Sequence, residues 1–210
     1  MKERGLERFA SPQHTLDMLS PKGVKISLVF IRPKVGGDFA LIKGVAKRVI
    51  ELDDAALSNG TERVLDVDFI AEHTVGFEAF ADDLRAESWD AIIEESGVEM
   101  DDVLKLADIY AKGRAVIATW GMGLTQHKNS MPIIQLLSNL MMMRGNIGRR
   151  GAGLCPVRGH SNVQGDRTVG IEKKPTQEFL DRLGAAYDFE PPREHGYDVV
   201  ETIHAMLEAG

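Results

Sequence analysis

The chain has little cysteine, no long apolar run and no internal repeat, and each shortage excludes a class of protein. A single cysteine, Cys155, permits no internal disulfide and cannot by itself build a cysteine-rich cluster or a zinc site. No apolar stretch approaches the ~20 residues of a membrane span. The charged opening MKERGLERF is no signal peptide. The expectation is a cytoplasmic chain without a membrane span. Basic residues are outnumbered, 25 Lys and Arg against 32 Asp and Glu, giving a net charge of -7. That balance disfavours nucleic acid and anionic membranes as partners. What remains suffices for a core, because 43% of the 210 residues are hydrophobic.

Positive charge is scarce overall but concentrated in one place. The stretch from Arg144 to Gly170, RGNIGRRGAGLCPVRGHSNVQGDRTVG, holds seven glycines, five arginines and one acid, Asp166. A structureless segment of this length inside a compact domain is functional or disordered. Glycines let the backbone approach a ligand closely, and arginines supply forked cationic donors. The composition therefore predicts a loop built around a large anionic ligand. It contains no aromatic residue for base stacking, which weakens an RNA-binding reading.

The periodicity gives the elements. Residues 1–23 are polar, contain Pro12 and Pro21, and read as a surface connector. Val24 to Ile31 (VKISLVFI) reads as a buried strand. Gly36-Gly37 marks a turn, and Asp38 is placed to N-cap the helix FALIKGVAKRVIEL. A turn at Ser58 to Glu62 precedes three short helices, DVDFIAEHT, GFEAFADDLRA and SWDAIIEES. A helix from Met100 to Ala111, stopped by Gly113, leads into the strand RAVIATW. Gly121-Met122-Gly123 and an apolar helix from Thr125 to Met143 follow, the Met141-Met142-Met143 run serving as core filling. Two helices, Thr176–Leu183 and Tyr197–Glu208, close the chain. Strands alternating with helices predict an α/β fold with parallel strands. Two strands cannot cover their own edges, so the chain reads as part of something larger and as prone to self-association.

Several residues could carry chemistry, each with a plainer alternative. The glycine turn after RAVIATW sits where α/β folds collect anionic ligands, although a purely structural turn accounts for it equally well. Arg158, in Pro156-Val157-Arg158-Gly159-His160, could grip a carboxylate with two parallel bonds. Composition alone favours pairing with a nearby acid. Cys155 could be a thiolate activated by Arg158 or His160, but a lone cysteine is more often a small packed residue. His127 and His160 are candidates for acid–base work or metal ligation, with ordinary polar contacts the more frequent role.

Taken together, WGMGLTQHKNS, RGNIGRRGAG and PVRGHSNVQGD resemble the molybdopterin oxidoreductases, most of all the alpha subunits of molybdenum-dependent formate dehydrogenases. VFIRPKVGGDFALIKGVAK, DFIAEHTVGFEAFADDL and the tail FEPPREHGYDVVETIHAM extend the resemblance over nearly the whole chain. It implies a molybdenum or tungsten ion held by two molybdopterin guanine dinucleotides, with a 4Fe-4S cluster passing electrons on. By the same resemblance, Arg158 orients formate, and Gly159 and His160 touch the pterin. The second of these is commonly glutamine in the family, which widens the expected substrate to small molecules related to formate. Met122, Gly123 and Gln126 are implied to line the pterin side of one dinucleotide. Gly36, Gly37 and Asp38 are implied to sit near a guanine or its phosphates.

The resemblance also implies a partial, helix-rich Rossmann-like three-layer domain over residues 1–158. Residues 159–210 would form a return segment into a neighbouring α/β domain. The family's cluster region and metal ligand would precede residue 1, and its C-terminal domain would follow residue 210. The expectation is a central piece of an oxidoreductase that needs its remaining domains as partners and is inactive alone. The rival is a non-catalytic remnant that binds pterin dinucleotide or another protein.

Overall fold

The computed structural model describes residues 8–9, 13, 15, 24–160, 162–172 and 174–209. The chain divides into two compact units, residues 1–157 and 158–210. In the first, β1 (Arg8–Phe9) pairs antiparallel with β2 (Val24–Lys25). Five helices follow: α1 (Asp38–Asn59), α2 (Val67–His73), α3 (Phe77–Ala86), α4 (Trp89–Ser96) and α5 (Met100–Lys112). Then come β3 (Ile117–Trp120), α6 (Met122–Thr125), α7 (Ser130–Met142) and β4 (Gly153–Pro156). β3 runs parallel to β4, with Ile117 opposite Gly153 and Trp120 opposite Pro156. The described residues thus form a helix-rich α/β unit carrying a small two-stranded parallel sheet.

The sheet corrects two sequence expectations. Val24 to Ile31 is not one buried strand: only Val24–Lys25 pairs, and Ile26 and Leu28 are exposed. A run that is apolar on both faces needs cover on both, and the described residues give it no ladder beyond Lys25. The partner of β3 comes instead from the Arg144–Gly170 stretch, which is not structureless. It contains β4 and α8 (Val163–Thr168). Of the expected leading connector, Arg8–Phe9 is a strand, and all but Gln13 and Thr15 of the rest lies outside the described residues.

α1 is the axis of the first unit. Val45, Ala46, Val49 and Ile50 recur at three- and four-residue spacing and are buried against Ala81, Leu84, Val103 and Ala107. Each large aliphatic side chain fully buried here contributes about 1.5–3 kcal/mol. A Cβ at Gly44 would lie 2.8 Å from Ile92 Cγ2 and 3.0 Å from Val103 Cγ1, so glycine lets α1 approach α4 and α5 closely. The N-cap is Gly37, and Asp38 is the first helical residue, where its charge suits the helix dipole. At the other end the helix runs into the expected turn as far as Asn59. Gly60, at φ 64°, then closes it with N–H bonds to Ala56 and Leu57.

The long apolar helix expected from Thr125 is split into α6 and α7. Pro132 has no N–H to donate, so a helix containing it must start within the turn before. Met141 and Met143 are buried as expected. Gly113 ends α5 in an extended conformation, not the left-handed one. Its glycine serves space, since a Cβ would meet Val116 Cγ2 at 2.9 Å.

Buried polar groups tie these elements together. The Asp53 carboxylate, almost wholly buried, accepts two bonds from Arg63 Nε (3.0 and 2.9 Å) and one from Nη2 (2.6 Å). It also accepts the N–H groups of Val64 and Leu65. Arg144 carries the anchor onward: its Nε donates to Val64 O, and its Nη1 donates to Tyr110 O and Gly113 O at the carboxyl end of α5. Asn146, fully buried, accepts from Val116 N–H and Arg149 and donates to the Tyr110 hydroxyl, which donates to Leu140 O.

The second unit holds α8, α9 (Gln177–Tyr187) and α10 (Val199–Ala209). Thr176 caps α9 by accepting Phe179 N–H. Val199, Val200, Ile203, Met206 and Leu207 of α10 are all more than half exposed. Among the described residues no helix is long and apolar enough to cross a membrane.

Burial pushes the Asp53 carboxyl up, but its bonds to Arg63, Leu65 and Val64 and the Arg63 charge outweigh that, and the net direction is down. A depressed carboxyl stabilises the fold above its unfolded value, ~3.9, and loses that contribution as pH falls through the folded value. Asp53→Ala should cost about 2–4 kcal/mol in urea unfolding near neutrality, because two buried N–H groups and Arg63 lose their acceptor. The deficit relative to the unsubstituted chain should shrink below about pH 3. A deficit independent of pH would assign the loss to packing instead.

Candidate functional site

The site with the most open chemistry lies at the carboxyl end of β3. Trp120 O, the last acceptor of the strand, takes the Val157 N–H at 2.7 Å. Beyond it, Gly121 opens α6, a single turn of four residues. Leu124 N–H bonds Gly121 O, Gln126 N–H bonds Met122 O, and Ser130 N–H bonds His127 O. Met122, Gly123 and Gln126 are all exposed. The Gln126 amide reaches only the weak acceptor Met122 Sδ, at 3.6 Å. A Cβ added at Gly123 would meet nothing within 4 Å, so that flank is open.

The structure brings Asp38 to this turn. His127 Nε2 lies 3.9 Å from Asp38 Oδ2, both side chains about three-quarters buried. Their 89-residue separation in sequence gives no signal of this meeting. Gly36 and Gly37 flank Asp38 but differ from each other. Gly36 is exposed at φ 83°, with nothing near its missing Cβ. Gly37 is buried, and a Cβ there would lie 2.7 Å from Ser96 O, 2.9 Å from Glu95 O and 3.0 Å from Lys34 O. Its small size serves packing on the end of α4.

The arginines of the Arg144–Gly170 stretch divide by role. Arg144 and Arg149 are spent on internal carbonyls and Asn146, and Arg167 pairs with Glu172. Arg144 and Arg149 serve the fold and Arg167 sits in a surface ion pair, which corrects the reading of the whole stretch as a ligand-facing loop. Arg158, Gly159 and His160 open the second unit and are exposed. Arg158 makes no hydrogen bond or ion pair with a described residue, so the expected nearby acid is not among them. Cys155 is exposed on β4 opposite Thr119, not packed. Among the described residues no three His, Cys, Asp or Glu side chains are grouped to hold a metal ion.

The chain is 45% identical to protein YdeP of Escherichia coli over 98% of its own length and 27% of that protein's. It is 35% identical to the uncharacterized oxidoreductase Rv2900c of Mycobacterium tuberculosis, over 98% of the chain and 26% of the relative. Formate dehydrogenase H of Escherichia coli is 28% identical over 86% of the chain and 25% of the enzyme. No protein-family model matches. The chain therefore spans about a quarter of the length of the curated relatives it matches, and it is homologous to a segment of proteins named as oxidoreductases.

The two glycine environments give opposite expectations for one substitution. Gly37→Ala should cost about 1–3 kcal/mol, since backbone carbonyls must shift to admit the methyl group. Gly123→Ala should change stability by no more than about 1 kcal/mol, and in the stabilising direction. Thermal unfolding of both variants checks this. Equal destabilisation would mean that the Gly123 flank is not open.

Proposed function

We propose that the chain is the central, dinucleotide-contacting part of a molybdopterin-dependent oxidoreductase of formate dehydrogenase type, within a Rossmann-like domain. The observation that carries the reading is the open carboxyl end of β3. It presents an exposed glycine-rich turn, with a Gln126 amide held only by the weak acceptor Met122 Sδ, at the place where α/β folds receive ligands. The relatedness to formate dehydrogenase H supports the choice of ligand and chemistry.

The residues fit such a group in kind. Gly123 leaves room for close approach, and Gln126 and Met122 face outward with no strong internal partner. Gly36 has open space beside it, while Gly37 fixes the turn that presents Asp38, an acceptor suited to the N–H groups of a guanine. By the resemblance to formate dehydrogenases, Gly159 and His160 would also touch a pterin. When bound, the metal and its pterins supply two-electron transfer, and the protein supplies placement and electrostatics. Arg158, without a carboxylate of its own in the described residues, would hold the substrate carboxylate through two parallel N–H···O bonds. That fixes which face of a one-carbon acid meets the redox centre.

Titration of the purified chain with molybdopterin guanine dinucleotide tests the reading, with GDP as comparator. Binding should be tight for the pterin compound and much weaker for GDP. In the complete enzyme carrying this segment, Arg158→Ala should lower kcat/KM for formate by roughly 100-fold, as expected for loss of a charge-assisted bond. No binding by a folded chain would reject the cofactor role of this segment.

A further inference from the structure

We infer that Asp38 and His127 form a clasp that fastens the Gly121–Asn129 turn to the start of α1. None of residues 121–129 is fully buried, and Leu124 is the one large aliphatic side chain among them that is partly covered. Among the described residues the turn's hydrogen bonds are all local: Leu124 to Gly121, Gln126 to Met122, Thr125 to Gly121, Ser130 to His127 and Ile133 to Asn129. α6 is one turn long, and a helix that short does not hold itself. The polar contact joining Gly121–Asn129 to a distant element is His127 Nε2 to Asp38 Oδ2, at 3.9 Å.

The chemistry of the pair suits this work. An imidazole N–H beside a carboxylate, both side chains largely withdrawn from solvent, is screened less than a contact on the open surface. Asp38 is itself held by its place in the first turn of a 22-residue helix rooted in the core. One end of the clasp is therefore rigid, and the other lies one residue past Gln126. The pair thereby sets where Met122, Gly123 and Gln126 point. His127 is a positioning residue, acting on the ligand-facing turn through its placement, and Asp38 is its anchor on α1. The consequence for dinucleotide binding rests on the function proposed above, whereas the clasp itself does not.

Hydrogen–deuterium exchange of the unliganded chain separates the two. His127→Ala and Asp38→Asn should each speed exchange of the Leu124 and Gln126 amides by about three- to five-fold, the range open to a partly exposed polar pair. Exchange within α1 beyond its first turn should not change. The reversed pair, Asp38→His with His127→Asp, should restore the slower rate, which loss of packing alone would not do. Unchanged exchange in both single variants, or a reversed pair as fast as the singles, would overturn the clasp. If the clasp stands, His127→Ala should also weaken molybdopterin guanine dinucleotide by a similar factor. Failure of that titration alone would count against the cofactor reading, with the clasp intact.

Discussion

The buried carboxylate of Asp53 is the constraint on which the first unit depends. It withdraws a charge from water on the central helix and recovers the cost from Arg63 and the N–H groups of Val64 and Leu65. That fixes the path of the chain as it leaves α1. Val64, so fixed, offers its carbonyl to Arg144, which also closes the end of α5 through Tyr110 and Gly113. Two residues on, Asn146 holds Val116, the residue before β3. A continuous chain of polar anchors thus runs from the core helix to the strand whose far end carries the candidate site. Burial supplies most of the stability; these anchors supply direction.

The same anchors explain why an acidic chain keeps a basic segment. The cations in it were expected to face a ligand. Among the described residues Arg144 and Arg149 pair with no acid; they satisfy carbonyl groups and Asn146, a task to which a five-donor planar fork is suited. Four glycines between Gly145 and Gly153 adopt positive φ, and they let the backbone fold tightly around those side chains before it enters β4. The segment combines an internal latch, a strand and, after Val157, the exposed start of the second unit.

Local pattern made most helices legible. The three- and four-residue spacing in α1, the Asp66, Ser88 and Thr176 caps and the left-handed Gly60 and Gly97 all act within a few residues of one another. What escaped is non-local. Val24–Ile31 has strand composition, but its ladder depends on what lies beside it. β4 hides in a glycine- and arginine-rich run because its partner is 36 residues away in sequence. At the site, glycine spacing marked the turn at Gly121–Gly123, yet could not separate Gly37, closed by carbonyl groups, from Gly123, open to solvent. The Asp38–His127 contact has no sequence signature, since neither residue's neighbours announce the other.

The proposed ligand contacts are the turn at the carboxyl end of β3 and, in the other unit, Arg158–His160, whereas Arg144 and Arg149 bond within the fold. Hydrogen–deuterium exchange of the chain with and without molybdopterin guanine dinucleotide tests that division most directly. Protection confined to residues 121–126, the Gly36–Asp38 turn and 158–160 is the expected result. Protection centred on 144–149, or none at saturating ligand, would contradict it.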